Sequence, residues 1–154
     1  MQTTTDHVSS CCIDLWLREE VGSTRLTSTI YIAAFSGVCM NGHLPRYVRH
    51  PNAPGTNIFI VAVNDVFVMD AFKKHLDPED QSRIRFLADV DGEFTKKVGL
   101  GFDGTVASMG GLRSKRYAMV VQDKKVVQIG VEPDPTKITV SSADRILATT
   151  VSCE

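Results

Sequence analysis

Residues 27–45 read TSTIYIAAFSGVCMNGHLP, and the two halves of this stretch obey different rules. Thr27 to Phe35 is dense in β-branched and aromatic residues, which suit a pleated surface, and it predicts a buried strand. Ser36 and Gly37 punctuate the run, and a helix is expected to start here with Cys39 in its first turn. Pro45 lies too deep in that helix to be its opening residue. Its missing N–H and its ring predict a kink or an interruption.

The pattern extends outward from this strand–helix unit. Residues 1–12 are polar and read as a loose terminus, and 13–21, IDLWLREEV, read as a short amphipathic helix or strand-like segment anchored by Trp16. Residues 51–57, PNAPGTN, form a turn-rich loop. The unbroken apolar run Ile58 to Val63 predicts a central strand covered on both faces. Asn64 or Asp65 can cap the next helix, VFVMDAFKKHL, which Asp77-Pro78 closes. Ile84 to Ala88 predicts another strand, and Phe94 to Leu100 a short helix. Five glycines between 99 and 112 predict a flexible segment. Tyr117 to Val121 and Val126 to Val131 predict an antiparallel hairpin turning at Asp123-Lys124-Lys125. Pro133 and Pro135 break the chain, and Ser141 to Asp144 reads as a capping box for a last helix. This order implies an α/β fold with a mixed sheet, in which the hairpin adds antiparallel edge pairing to a parallel set. The 154 residues suit a single domain spanning 1–154.

Composition excludes several functions. The formal net charge of -1 gives no basic field to track phosphates, so no nucleic-acid partner is expected. No stretch approaches the roughly 18–20 apolar residues of a membrane span, so no membrane partner is expected either. The opening residues lack the features of a secretory signal, and the ending VSCE matches no lipidation or peroxisomal signal, which points to the cytoplasm. The four cysteines, Cys11, Cys12, Cys39 and Cys153, form no C-x-x-C pair, and the four histidines form no H-E-x-x-H. A zinc site and a dithiol motif are therefore not expected, and no cofactor or metal is implied. Cys39 alone has a chemical setting. It reads either as a buried structural cysteine or as a nucleophile whose anion is favoured by helix-end amides.

The segment Ile32 to Pro45 resembles the active-site stretch of peroxiredoxins, nearest the peroxiredoxin-5-like group of plant type II enzymes and fungal allergens. That signature has a proline, then threonine or serine four residues on, then a cysteine three further on; here the positions hold Ile32, Ser36 and Cys39. His43-Leu44-Pro45 matches the group's H-L-P. Val63-Asn64-Asp65, Phe86 to Asp89, Gly92 to Lys96, Arg113 to Val121 and Ser141 to Asp144 match further pieces in order. The likeness covers about residues 30 to 148. It departs from the family at Ile32 and Gly37, in its short opening, and in the compressed stretch between Pro45 and Ile58 that carries Pro51 and Pro54.

The resemblance implies a thioredoxin-like fold with a central mixed sheet flanked by helices. It implies a thiol peroxidase that reduces hydrogen peroxide or alkyl hydroperoxides through a cysteine sulfenic acid. Cys39, Ser36 and Arg116 are then the catalytic residues, with Ser36 alternatively a plain helix cap, His43 a structural or pocket-wall residue, and Arg113 and Lys115 facing solvent. The implied partners are the peroxide, an external thiol reductant (thioredoxin, glutaredoxin or glutathione) and a second copy of the chain in a homodimer. Some members resolve through a cysteine at about the position of Val140, so no dedicated internal resolving partner is expected. Ile32 in place of proline leaves a second reading open: a catalytically impaired thioredoxin-fold homologue acting as a binding or structural protein.

Overall fold

The computed structural model describes residues 26–30, 33–53, 56–82, 84–122 and 125–150. The segment 13–21 with Trp16, the family-proline position Ile32, and Cys11, Cys12 and Cys153 lie outside the described residues, as do Pro54 and the hairpin turn at 123–124.

A five-stranded sheet has the order β3-β2-β1-β6-β7, with β1 Leu26–Ile30, β2 Asn57–Ala62, β3 Arg85–Ala88, β6 Tyr117–Gln122 and β7 Lys125–Val131. β1, β2 and β3 are parallel, while β6 runs antiparallel to β1 and β7 antiparallel to β6. This is the mixed sheet expected from the strand order. α1 Leu44–Val48, α2 Val66–Leu76 and α4 Ala143–Thr150 contribute to an apolar cluster on one face, with Leu44, Tyr47, Met69, Phe72, Ile146 and Leu147 against Ile58, Ile60, Ala118 and Val120. The other face buries Phe59, Val61, Tyr117, Met119 and Val121 against Phe94 and Val98, where α3 Glu93–Lys97 packs. The alternation along β2 and β6 explains the unbroken apolar runs, since both faces exclude water.

Four expectations are corrected. Of the strand expected over 27–35 the described residues give β1, and Ala34 and Phe35 turn instead. Phe35 takes a left-handed φ of 60°, and its ring packs 4.8 Å from that of Phe72. The Ala34 N–H donates to Asn64 Oδ1 at 3.1 Å, so Asn64 ties this turn to the end of β2, and Asp65 alone caps α2 through Val68 N at 2.9 Å. Pro45 does not break the helix. The chain is helical from Gly37, passes through a π turn over Cys39–His43, and continues into α1 with Pro45 in its first turn. A π turn already skips one ordinary i−4 bond, and here the Leu44 N–H reaches back to Cys39 O. Pro45, which has no N–H, fits where that bond is skipped.

The glycine-rich segment 99–112 is an ordered hairpin rather than a flexible stretch. β4 Gly101–Asp103 pairs with β5 Leu112–Ser114 across a 3₁₀ turn, Gly104–Ala107. Gly104 is needed there, since a side chain would meet the Gly110 and Gly111 carbonyls at 2.6 and 2.8 Å. The capping box also fails, because the Ser141 hydroxyl bonds to Glu132 and His43 instead of the first turn of α4.

Candidate active site

Three elements bring the polar side chains together: the π turn, the start of β6, and the segment 132–141 that follows β7. Cys39 and His43 occupy the first and last positions of the π turn, and both are fully buried. Arg116 immediately precedes β6 and is 1% exposed. Its Nη1 group donates to Cys39 Sγ at 3.3 Å and to His43 Nδ1 at 3.0 Å, which uses both of its protons. Its Nε–H donates to Pro135 O at 2.8 Å. The expected pairing of Arg116 with Cys39 is thus present. A guanidinium offers donors in a fixed plane, so two bonds at one nitrogen and a third at Nε hold it in one orientation.

Arg116 can only donate, so His43 Nδ1 must accept, and the imidazole carries its proton on Nε2. That Nε2–H donates to Ser141 O at 2.8 Å, with Ser141 Oγ at 3.1 Å. Tyr47 donates to the same carbonyl at 2.8 Å. Burial lowers the His43 pKa to about 4 and Arg116 pushes the same way, against the opposing pull of Ser141 and Glu132. A neutral His43 with both nitrogens engaged has no lone pair with which to act as a base.

Ser36, read above as a catalytic residue or a plain helix cap, donates no hydrogen bond to the Cys39 sulfur. Its Oγ is buried and bonds neither Cys39 nor any backbone N–H, so it is not a cap either. Its carbonyl accepts from Met40 N at 2.9 Å and so helps start the helical run. Arg113 does not face solvent: it is half-buried on β5 and donates from Nη1 to Val63 O at 2.7 Å. Lys115 is exposed, as expected.

Sequence reasoning missed Glu132, Tyr47 and the placement of Ser141. Glu132 is 5% exposed and accepts from Thr139 N, Thr139 Oγ1, Ser141 N and Ser141 Oγ at 2.6–2.8 Å. Burial pushes its carboxyl up, but the four donors outweigh that and hold it at about 2. The one available signal was a carboxylate closing the apolar strand VVQIGV directly before a proline.

The sheet order is that of a thioredoxin-like fold, and the one thiol among the described residues lies buried under a fixed guanidinium. Comparison with known proteins narrows this. The Redoxin family model matches residues 18–147. The Peroxisomal membrane associated protein 20 of Schizosaccharomyces pombe is 44% identical over 119 residues, covering 75% of this chain and 75% of the relative. The mitochondrial Peroxiredoxin-2F of Arabidopsis thaliana is 36% identical over 118 residues, covering 74% of this chain and 57% of the relative. Among solved structures, reduced Prx3 of Vibrio vulnificus in complex with hydrogen peroxide superimposes with a TM-score of 0.75 at 35% identity, covering 91% of this chain and 83% of that one. The chain belongs to the redoxin family as a peroxiredoxin, a thiol peroxidase that reduces hydroperoxides through a cysteine sulfenic acid. Among the described residues no helix is long and apolar enough to cross a membrane.

Proposed function

We propose that Cys39 is the attacking thiolate, Arg116 its electrostatic partner and Ser36 a donor to bound peroxide. The observation that carries this reading is the 3.3 Å contact from Arg116 Nη1 to Cys39 Sγ, because a buried cation stabilises both the thiolate and the charge that develops beside it. The unbonded Ser36 hydroxyl supports the reading, since a buried hydroxyl without a partner costs about 1–3 kcal/mol unless a ligand satisfies it.

The thiolate attacks the terminal peroxide oxygen. An S–O bond forms, the O–O bond breaks, and its electron pair leaves on the alkoxide or hydroxide, which takes a proton. Cys39 becomes a sulfenic acid. One external thiol then displaces water to give a mixed disulfide, and a second thiol releases reduced Cys39 and a disulfide product. Glutathione, glutaredoxin or thioredoxin suits that step, and Cys39 is the one cysteine among the described residues. The same reading takes the chain to be a single-domain cytoplasmic homodimer, checked by sedimentation at micromolar concentration and by imaging of a tagged chain. The intact Cys39–Arg116 contact favours an active enzyme over a binding homologue.

One equivalent of hydrogen peroxide should give Cys39 sulfenic acid, or its mixed adduct with added thiol, on mass spectrometry. A fast, stoichiometric link from Cys39 to Cys11, Cys12 or Cys153 would replace the external cycle with an internal one. Unmodified Cys39 after peroxide exposure would defeat the assignment.

A further inference from the structure

Glu132 is a buried carboxylate, and none of its four hydrogen-bond donors is a cation. Burying an anion against neutral donors is expensive, and holding a loop does not by itself require a charge. What the charge adds is direction. An ionised carboxylate only accepts, so it fixes the Ser141 hydroxyl as a donor toward Glu132 Oε1 at 2.8 Å. The Ser141 oxygen then turns a lone pair to His43 Nε2 at 3.1 Å, alongside the Ser141 carbonyl at 2.8 Å. Two acceptors facing Nε2 keep the proton there. His43 Nδ1 is left as the acceptor for Arg116 Nη1, whose other proton reaches Cys39 Sγ.

We propose that Glu132 is a positioning residue for the Cys39–Arg116 pair, acting through Ser141 and His43; the inference rests on the roles assigned to that pair above. Its charge sets the polarity of the hydrogen bonds that donate from guanidinium to imidazole to hydroxyl to carboxylate, while the same guanidinium nitrogen also donates to sulfur. With a neutral group at 132, the Ser141 hydroxyl is free to rotate and donate to Nε2. The Ser141 carbonyl and Arg116 still favour Nε2–H, so only part of the population moves its proton to Nδ1, where it opposes the Arg116 donor and loosens the guanidinium from the sulfur. The same segment grips Arg116 at two further points: the Glu132 N–H donates to Arg116 O at 2.9 Å, and Pro135 O accepts from Arg116 Nε at 2.8 Å. β7 can lie against this segment because residue 130 is glycine, since a side chain there would collide with the Val140 carbonyl.

The test combines ¹⁵N-histidine NMR, alkylation of Cys39 by iodoacetamide, and single-turnover peroxide reduction on the full chain. Wild type should show His43 as the Nε2–H tautomer, and an Nδ1–H tautomer there overturns the proposal without any variant. Glu132→Gln should mix the tautomers and slow both alkylation and peroxide reduction at least tenfold. Glu132→Asp, which keeps the charge, should recover part of the tautomer preference and of the rate. In the double variant with His43→Ala, Glu132→Gln should cost nothing beyond His43→Ala alone. A wild-type alkylation rate in Glu132→Gln, or losses that simply add in the double variant, overturns it. Failure of wild type to consume peroxide would instead strike the assignment of Cys39, while the tautomer and alkylation readouts would still decide the role of Glu132.

Discussion

Arg116 and Tyr117 are chain neighbours, both at most 1% exposed, and they point to opposite faces of the sheet with opposite fates. On the Arg116 face Glu132, Ser141, His43, Arg116 and Cys39 are all hydrogen-bonded: the bonds from Arg116 through His43 and Ser141 donate toward Glu132, and Arg116 Nη1 also donates to Cys39 Sγ, while the Ser36 hydroxyl is left without a partner. On the Tyr117 face the phenol oxygen has no partner, nor does the nearby Thr95 hydroxyl. The neighbouring Ser114 hydroxyl donates to Lys115 O at 2.9 Å, and its pull on the phenol pKa is the smallest of those acting there and opposes the rest. Burial, followed by the Asp89 charge, raises the Tyr117 pKa well above its ordinary value and keeps the phenol neutral. Equal burial therefore has two outcomes. One face links its polar groups to the Cys39 sulfur, and the other leaves two hydroxyls without a partner beside an apolar cluster.

Substitutions should break this contrast in a graded way. Cys39→Ser should abolish peroxide consumption while leaving the circular dichroism spectrum unchanged; residual turnover would move the chemistry to another cysteine. Arg116→Ala should cost about 100-fold or more in peroxide kcat/KM, the scale of removing a transition-state donor. Arg116→Lys should recover little of it, because an ammonium cannot span Pro135 O, His43 Nδ1 and Cys39 Sγ together. A near-normal rate in either variant would remove the functional half of the contrast.

The third prediction concerns acid. His43 has an ordinary pKa of 6.5 and a folded value of about 4, so between those values the unfolded chain binds a proton that the native state refuses. Stability should therefore fall by about 3 kcal/mol as pH drops from 6.5 to 4, with no further loss from this group below that. Glu132, held at about 2 against an ordinary 4.5, contributes stability above 4.5 that is lost as pH falls toward 2. Urea unfolding across this range should show both windows, and His43→Gln should flatten the first; an unchanged slope in that variant would show the histidine is not its source.

Smaller effects should follow on the structural side. Gly130→Ala should destabilise by about 1–3 kcal/mol, because the new methyl meets the Val140 carbonyl and pushes out the segment that carries Glu132 and Ser141. Tyr117→Phe removes only an unpartnered hydroxyl and should be neutral or stabilising by about 1 kcal/mol, with peroxide kinetics unchanged. A rate effect in Tyr117→Phe would mean that the two faces are coupled.

The strand order and the helix after β2 were legible because their apolar patterns are local and match the period of each element. The Cys39–Arg116 pairing was legible only through resemblance, since 77 residues separate the partners and no periodicity joins them. Ser141 was read as a cap from its local pattern, and long-range competition from Glu132 and His43 overrode that choice. Glu132 itself carried almost no signal: a single acidic residue at a strand end reads as solvent-facing until the fold closes over it. The short strands β4 and β5 were hidden by their glycines, which signal freedom in sequence and close approach in structure.

The π turn makes the spacing between cysteine and proline a matter of helical phase. One residue more than an ordinary helix would need lies between Cys39 and α1, and each residue of an α-helix rotates the chain by about 100°. Deleting Gly42 would let the turn close with ordinary i−4 bonds, and Cys39 would swing by roughly that angle relative to Tyr47 and the rest of α1. The sulfur would then leave the arc that Arg116 can reach. In this segment a change in residue count is a graver lesion than a change in residue type, because side chains can be exchanged within a phase but not across one.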